Sequence, residues 1–147
     1  MAENLCIDDF INPAVEEPGM HMVDSHANAR LQAEQVSFHW WNDTSTTLHY
    51  HNFFEIFLIT RGRATHRLNG SEYALKRNTL HLIRPQDVHQ FVSARGESCT
   101  HMNLLILPAR LRVLADALGI PFTALQEGPP LSTVLGDTET TFFLDRA

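Results

Sequence analysis

The chain has 147 residues, 44% of them hydrophobic, with a formal net charge of −6 and only 11 Lys and Arg. That length suits one domain with a real core, and so acidic a balance excludes a surface that grips nucleic-acid phosphates by itself. No segment approaches the length of a membrane span, and the acidic start MAENLCIDDF lacks the apolar run of a signal peptide.

In chain order, residues 1–30 are weakly patterned. Pro13, Pro18, Gly19 and scattered acids predict a loose arm. Cys6 and Cys99 follow no metal or redox spacing, so two reduced thiols in a cytoplasmic protein are expected. Val36, Phe38 and Trp40 alternate with Ser37, His39 and Trp41, the signature of a strand. Residues 42–47, NDTSTT, form a polar loop.

The stretch HYHNFFEIFLITRG, His49 to Gly62, is the most apolar strand and is expected to end at Arg61-Gly62. Side chains two apart on a strand share a face, so His49, His51, Phe53, Glu55, Phe57 and Ile59 point the same way. Burying such polar groups unpaired costs roughly 2–7 kcal/mol each, so they bind something or one another. Arg63 to Leu68 alternates again, and Asn69-Gly70 is a strong hairpin signal because both central turn positions need positive φ. Ser71–Leu75, Leu80–Ile83, His89–Ser93 and His101–Leu107 complete seven or eight strands, spaced as in an all-β sandwich or barrel.

The period then changes. Pro108 suits a first helical position and Gly119 the residue past the end. Between them Leu111, Leu114, Ala115 and Leu118 form a helical stripe expected to pack on the barrel. Gly128-Pro129-Pro130 breaks the chain, and Asp137 is the expected cap of a second helix over Thr138–Arg146. Two turns are marginal alone, which suggests a domain excised from a longer protein. The expected organisation is an arm over 1–30, a barrel over 31–107 and a helical segment with the start of a linker over 108–147.

The central stretch resembles the first motif of the cupin family: HxH, three residues, Glu, six residues, Gly, met by His49, His51, Glu55 and Gly62. Asn78 to Pro85 and His89 stand where that family has its second motif, with Asn78 replacing a glycine and Ser93 replacing an asparagine. The longer stretch FFEIFLITRGRATHRLNGSEYALKRNTLHLIRPQDVHQF is similar to the effector-binding domain of AraC-type transcriptional regulators, and the likeness covers roughly residues 31–147. It implies an all-β fold with short C-terminal helices: a cupin barrel, that is, a jelly roll or double-stranded β-helix. It also implies a small-molecule effector, with a sugar as the family's common choice, a homodimer, and DNA binding only through a helix-turn-helix domain that this chain lacks.

Through the same resemblance His49, His51, Glu55 and His89 form a candidate metal set. Three imidazoles and a carboxylate suit Zn, Mn, Fe, Ni or Cu. Glu55 would lie roughly 13 Å from His51 on a straight strand, so it joins the set only if the strand bends or bulges near Asn52-Phe53-Phe54; on a straight strand it would pair with an arginine or meet an effector. The imidazoles could equally line an effector pocket through hydrogen bonds. Trp40, His66 and His81 are the candidate effector-binding residues, and only one of Trp40 and Trp41 can face inward. His21, His26, His39 and His101 read as solvated or singly bonded, and Arg61, Arg63 and Arg67 as a solvated face. Three functions compete: a sensory module without turnover, a metal-dependent cupin oxygenase or isomerase, and a bare dimerisation domain. The helix Pro108–Gly119, with Arg110 and Arg112 outward, is the expected dimer surface.

Overall fold

The structure is a computed structural model and describes residues 11–17, 20–43 and 45–145. In chain order the elements are β1 (Ile11–Glu17), β2 (Met20–Val23), α1 (Ala29–Glu34), β3 (Val36–Asp43), β4 (His49–His51), β5 (Phe54–Leu68), β6 (Ser71–Lys76), β7 (Thr79–Ile83), β8 (His89–Val92), β9 (Cys99–Ile106), α2 (Pro108–Ala117), α3 (Phe122–Gln126), β10 (Leu131–Val134) and α4 (Asp137–Leu144). The strands wrap into two facing leaves of a jelly-roll barrel, as the resemblance implies. One leaf runs β3-β9-β5-β7-β10 and the other β1-β2-β4-β8-β5-β6.

β5 belongs to both leaves. Its first half pairs with β9 and β7, its second half with β6 and β8. The crossing point is an irregularity between Ile59 and Arg61 followed by Gly62 at φ +78°. The strand therefore continues through Gly62, where the sequence reading ends it: a bulge and one left-handed residue turn a corner without breaking the ladder. Asn69 and Gly70 make the expected hairpin with φ of 49° and 82°.

Inward side chains follow the alternation. Phe57, Ile59, Leu68, Leu75, Ile83, Phe91 and Cys99 fill the middle of the barrel, and Val23, Leu31, Trp41, Phe53 and Leu105 close one end. Phe54 points outward yet is fully buried, because Leu111, Ala115 and Phe122 of α2 and α3 cover it. Only half of the predicted α2 stripe packs: Leu111 and Ala115 are buried, while Leu114 and Leu118 face out.

Four features depart from the expectations. Met20–Val23 of the supposed loose arm pairs in parallel with β4. α1 forms behind it, with Asn28 Oδ1 accepting from the Leu31 N–H at 2.9 Å and Gln35 ending it at φ 62°. After the Pro-Pro break the chain returns as β10 on the β7 edge. It is held there by Arg84, whose buried guanidinium donates to the carbonyls of Leu125, Glu127, Gly128 and Pro129. Finally, α4 is capped by Gly136, not Asp137: the Glu139 carboxylate reaches back and accepts from the Gly136 N–H at 2.7 Å. Cys6 and Arg146 lie outside the described residues.

Candidate functional site

Between β4 and β5 the chain bends at Asn52-Phe53, and this bend brings the site together. Asn52 is tied down from both ends of its amide, accepting from the Ser25 N–H at 2.9 Å and donating to Asp24 at 3.1 Å. Gln86 N–H holds the His51 carbonyl at 2.9 Å. Glu55 consequently folds back until its Oε2 lies 3.2 Å from His51 Nε2, despite the four-residue spacing, and 4.0 Å from His89 Nε2. Ligand atoms of His51, Glu55 and His89 all lie within 4.8 Å of one another.

Their remaining atoms fix the orientation. His51 Nδ1–H donates to the Phe53 carbonyl at 2.7 Å, so in the neutral ring Nε2 carries the lone pair. His89 Nδ1 lies 3.2 Å from His66 Nε2. When His89 donates in that bond, its Nε2 likewise presents a lone pair. Both Nε2 atoms are buried without a hydrogen-bond partner; the approach of His51 to Glu55 lacks hydrogen-bond alignment. His49 is the neighbour left out of this cluster. It pairs across the ladder with His89, ring centroids 4.2 Å apart, but its Nδ1 is spent on the Thr47 carbonyl at 2.9 Å. The four-residue set of the sequence reading is thus three converging donors plus an adjoining ring.

The electrostatics favour a cation here. Burial pushes the Glu55 carboxyl up, but His51, His49 and His101 around it outweigh that and hold it below the usual carboxylate range. Three of the surrounding rings resist protonation. Burial, then the nearby histidines, keeps His89 far below the ordinary imidazole range, and burial lowers His66 to about 3 and His81 to about 4. An ionised carboxylate 3% exposed is costly unless a positive charge joins it. Two imidazole lone pairs and a carboxylate oxygen, each imidazole oriented by its other nitrogen, fit a divalent transition metal. The adjoining cavity, lined by Val23, Trp41, His49, His51, Phe53, Glu55, Asn103 and Leu105, has a volume of about 20 Å³. That is room for about one water-sized group.

The other candidates scatter. Trp40 lies on the outer face of β3, 38% exposed, and Trp41 takes the inward place, where it lines the cavity. The pleat allows only one of the two inside. His66 is inside and touches His89. His81 is inside too, but stacked on Phe57 in the packed middle of the barrel, ring centroids 5.3 Å apart. His39 and His101, expected to be solvated or singly bonded, are buried; Ser37 Oγ meets His39 Nε2 at 2.7 Å. His26 is exposed beside Asp24 as expected, and the His21 side chain lies outside the described part of the structure. Arg63 and Arg67 are exposed and paired with Glu97 and Glu72.

The residue that sequence reasoning passed over is Asn103. It faces inward from β9 and donates its amide N–H to Glu55 Oε1 at 2.7 Å. Its signal is a lone amide at an inward position of the apolar run HMNLLIL. Outside the barrel, a second cavity of about 370 Å³ lies between β5, β7, β10 and the helices, lined by Ile56, Leu80, Leu82, Leu111, Leu125 and Leu131 among others.

Comparison with known proteins agrees with this architecture. Residues 37–139 match the family model of the AraC-like ligand binding domain. Over 73 residues the chain is 36% identical to YfiF, an uncharacterized HTH-type transcriptional regulator of Bacillus subtilis, covering 46% of this chain and 23% of that protein. Over 68 residues it is 37% identical to the HTH-type transcriptional activator RhaS of Pectobacterium carotovorum, covering 46% and 24%. The aligned stretch thus spans about a quarter of each relative's length. Among solved structures, ToxT from Vibrio cholerae superposes with a TM-score of 0.56 at 13% identity, over 76% of this chain and 46% of that one, a likeness of fold.

Proposed function

The chain belongs to the family of AraC-like ligand-binding domains, and from that premise we propose that it is the sensing and self-associating part of a cytoplasmic AraC-type transcriptional regulator whose ligand is a divalent metal ion held by His51, Glu55 and His89. Relatives described as HTH-type transcriptional regulators support the regulatory role, with DNA contacted through a helix-turn-helix domain elsewhere in the full protein. One observation carries the metal reading: two buried imidazole nitrogens without partners, on His51 and His89, converge on the buried Glu55 carboxylate at 3.2 and 4.0 Å, beside a cavity of about 20 Å³. Organic-ligand pockets are typically some 300–1,000 Å³. A sugar beside Trp41 and Glu55 therefore needs room that this cavity does not leave, whereas an ion and one small co-ligand fit. A metal-dependent oxygenase or isomerase would use the same donors but needs substrate space beside them, so binding without turnover is the better reading.

When bound, the ion would supply a local positive charge and a fixed junction between β4, β5 and β8. A ligand switches a protein only through different affinity for two states. Here Val23 of β2 lines the cavity and clusters with Leu31 of α1, so the ion's surroundings and the packing of that cap share one wall. For self-association the outer face of α2 is the candidate, with Val113, Leu114 and Leu118 exposed. Arg112 is engaged within the chain, its guanidinium 4.3 Å above the Phe122 ring.

The test is metal analysis of the purified protein, with thermal unfolding of chelator-treated protein on adding Zn²⁺, Mn²⁺, Ni²⁺ or a panel of sugars. One ion per chain and a rise in Tm abolished in His51→Ala is the expected result. A sugar that stabilises the chelated protein while no metal does would replace the metal reading and leave the family role intact. An apolar organic effector is a second reading, favoured by the outer cavity of about 370 Å³; Leu82→Arg would abolish its binding without touching the metal.

A further inference from the structure

We infer that Asn103 is a positioning residue of the metal site, committing Glu55 to it through a single oxygen and offering its own carbonyl oxygen to the small co-ligand beside the ion. The inference rests on the metal reading above. The amide N–H of Asn103 donates to Glu55 Oε1 at 2.7 Å. That bond occupies Oε1 and leaves Oε2 turned toward His51 and His89. The other end of the amide, Oδ1, is buried without a partner on a residue only 3% exposed that lines the 20 Å³ cavity. An acceptor left idle in an apolar wall costs about 1–3 kcal/mol. A metal-bound water is a donor of the right size for that space.

Asn103 is also placed rigidly. It sits mid-strand on β9, between His39 on β3 and Phe57 on β5, so its side chain has fixed neighbours on both sides. A donor held this way lowers the freedom of the Glu55 carboxylate before any ion arrives. With Oε1 taken, the site offers one carboxylate oxygen and two nitrogens, leaving further coordination to water or another small ligand.

The experiment uses the whole chain and Co²⁺ and Zn²⁺ as probes. Affinity is measured by competition with a chromophoric chelator, the visible Co²⁺ spectrum reports the coordination, and the Tm in excess chelator reports the fold. Asn103→Leu removes donor and acceptor at similar volume, and Asn103→Ser keeps a shorter hydroxyl. The expected result is 10–100-fold weaker binding in the Leu variant, a shifted Co²⁺ spectrum, and an intermediate affinity for the Ser variant. If the Leu variant does not fold, the Ser variant alone must bind at least fivefold more weakly with a changed spectrum. Wild-type affinity and spectrum in a folded variant would overturn the role of Asn103 while sparing the metal reading. A wild-type chain that binds neither ion would overturn both.

Discussion

His66 Nε2 lies 3.2 Å from His89 Nδ1, across two neighbouring strands and with both rings fully buried. With His66 Nε2 accepting in this contact, His89 carries its proton on Nδ1 and turns Nε2 to Glu55 as a lone pair. His66→Leu removes the acceptor. The expected outcome is a roughly tenfold to hundredfold loss of Zn²⁺ affinity with the barrel still folded, measured by chelator competition and circular dichroism.

Gly62 is a corner with no room for a side chain. A Cβ there would sit 2.1 Å from the Ser98 carbonyl oxygen, on a residue with φ +78°. Gly62→Ala should cost about 3 kcal/mol or more, from left-handed strain plus a backbone clash. Gly70 has φ +82° but open space around its Cα, so Gly70→Ala should cost roughly 1–2 kcal/mol. Urea midpoints of the two variants against wild type measure the difference.

Acid should unfold the metal-stripped domain through its buried rings. Burial lowers His81 and His101 to about 4, against an ordinary value of about 6.5 in the unfolded chain. Below 6.5 the unfolded state takes up protons that the folded state refuses. Stability is therefore full above that pH and falls through the window from about 6.5 to about 4. The two rings together should cost roughly 3 kcal/mol between pH 7.5 and 5.5. Urea unfolding across that range measures the slope, and replacing His101 with Phe should reduce it by about half.

The self-association surface makes a separate prediction. Leu118 is 73% exposed at the end of α2. Leu118→Glu should abolish or weaken self-association in sedimentation while changing Tm by no more than a few degrees, since nothing inside the domain is lost. Unchanged sedimentation would move the interface off α2.

The sequence was enough for the barrel strands, their faces and the turn at Asn69-Gly70, because these follow from period-two alternation and from residues that tolerate positive φ. It was not enough for the strands β2 and β10. Each is short and lies beside Pro and Gly, and each exists because an edge strand of the barrel offers a ladder to pair with. The buried histidines show the same limit. His39, His66, His81 and His101 occupy the inward positions of regular strands, but a histidine at such a position reads alike whether a rim or a packed core receives it.

For the proposed site, the spacing of His49, His51, Glu55 and Gly62 and the downstream His89 pointed to the candidate residues. Which of them converge was decided elsewhere. Asp24 and Ser25 hold Asn52, Asn52 bends the chain, and only then does Glu55 swing against His51, with Asn103 and His66 setting the directions of the last atoms. Local pattern dictates which way a side chain points from its own strand. Where two strands meet, and how far apart their side-chain atoms come to rest, depends on packing between segments distant along the chain, and that is a property of the folded molecule alone.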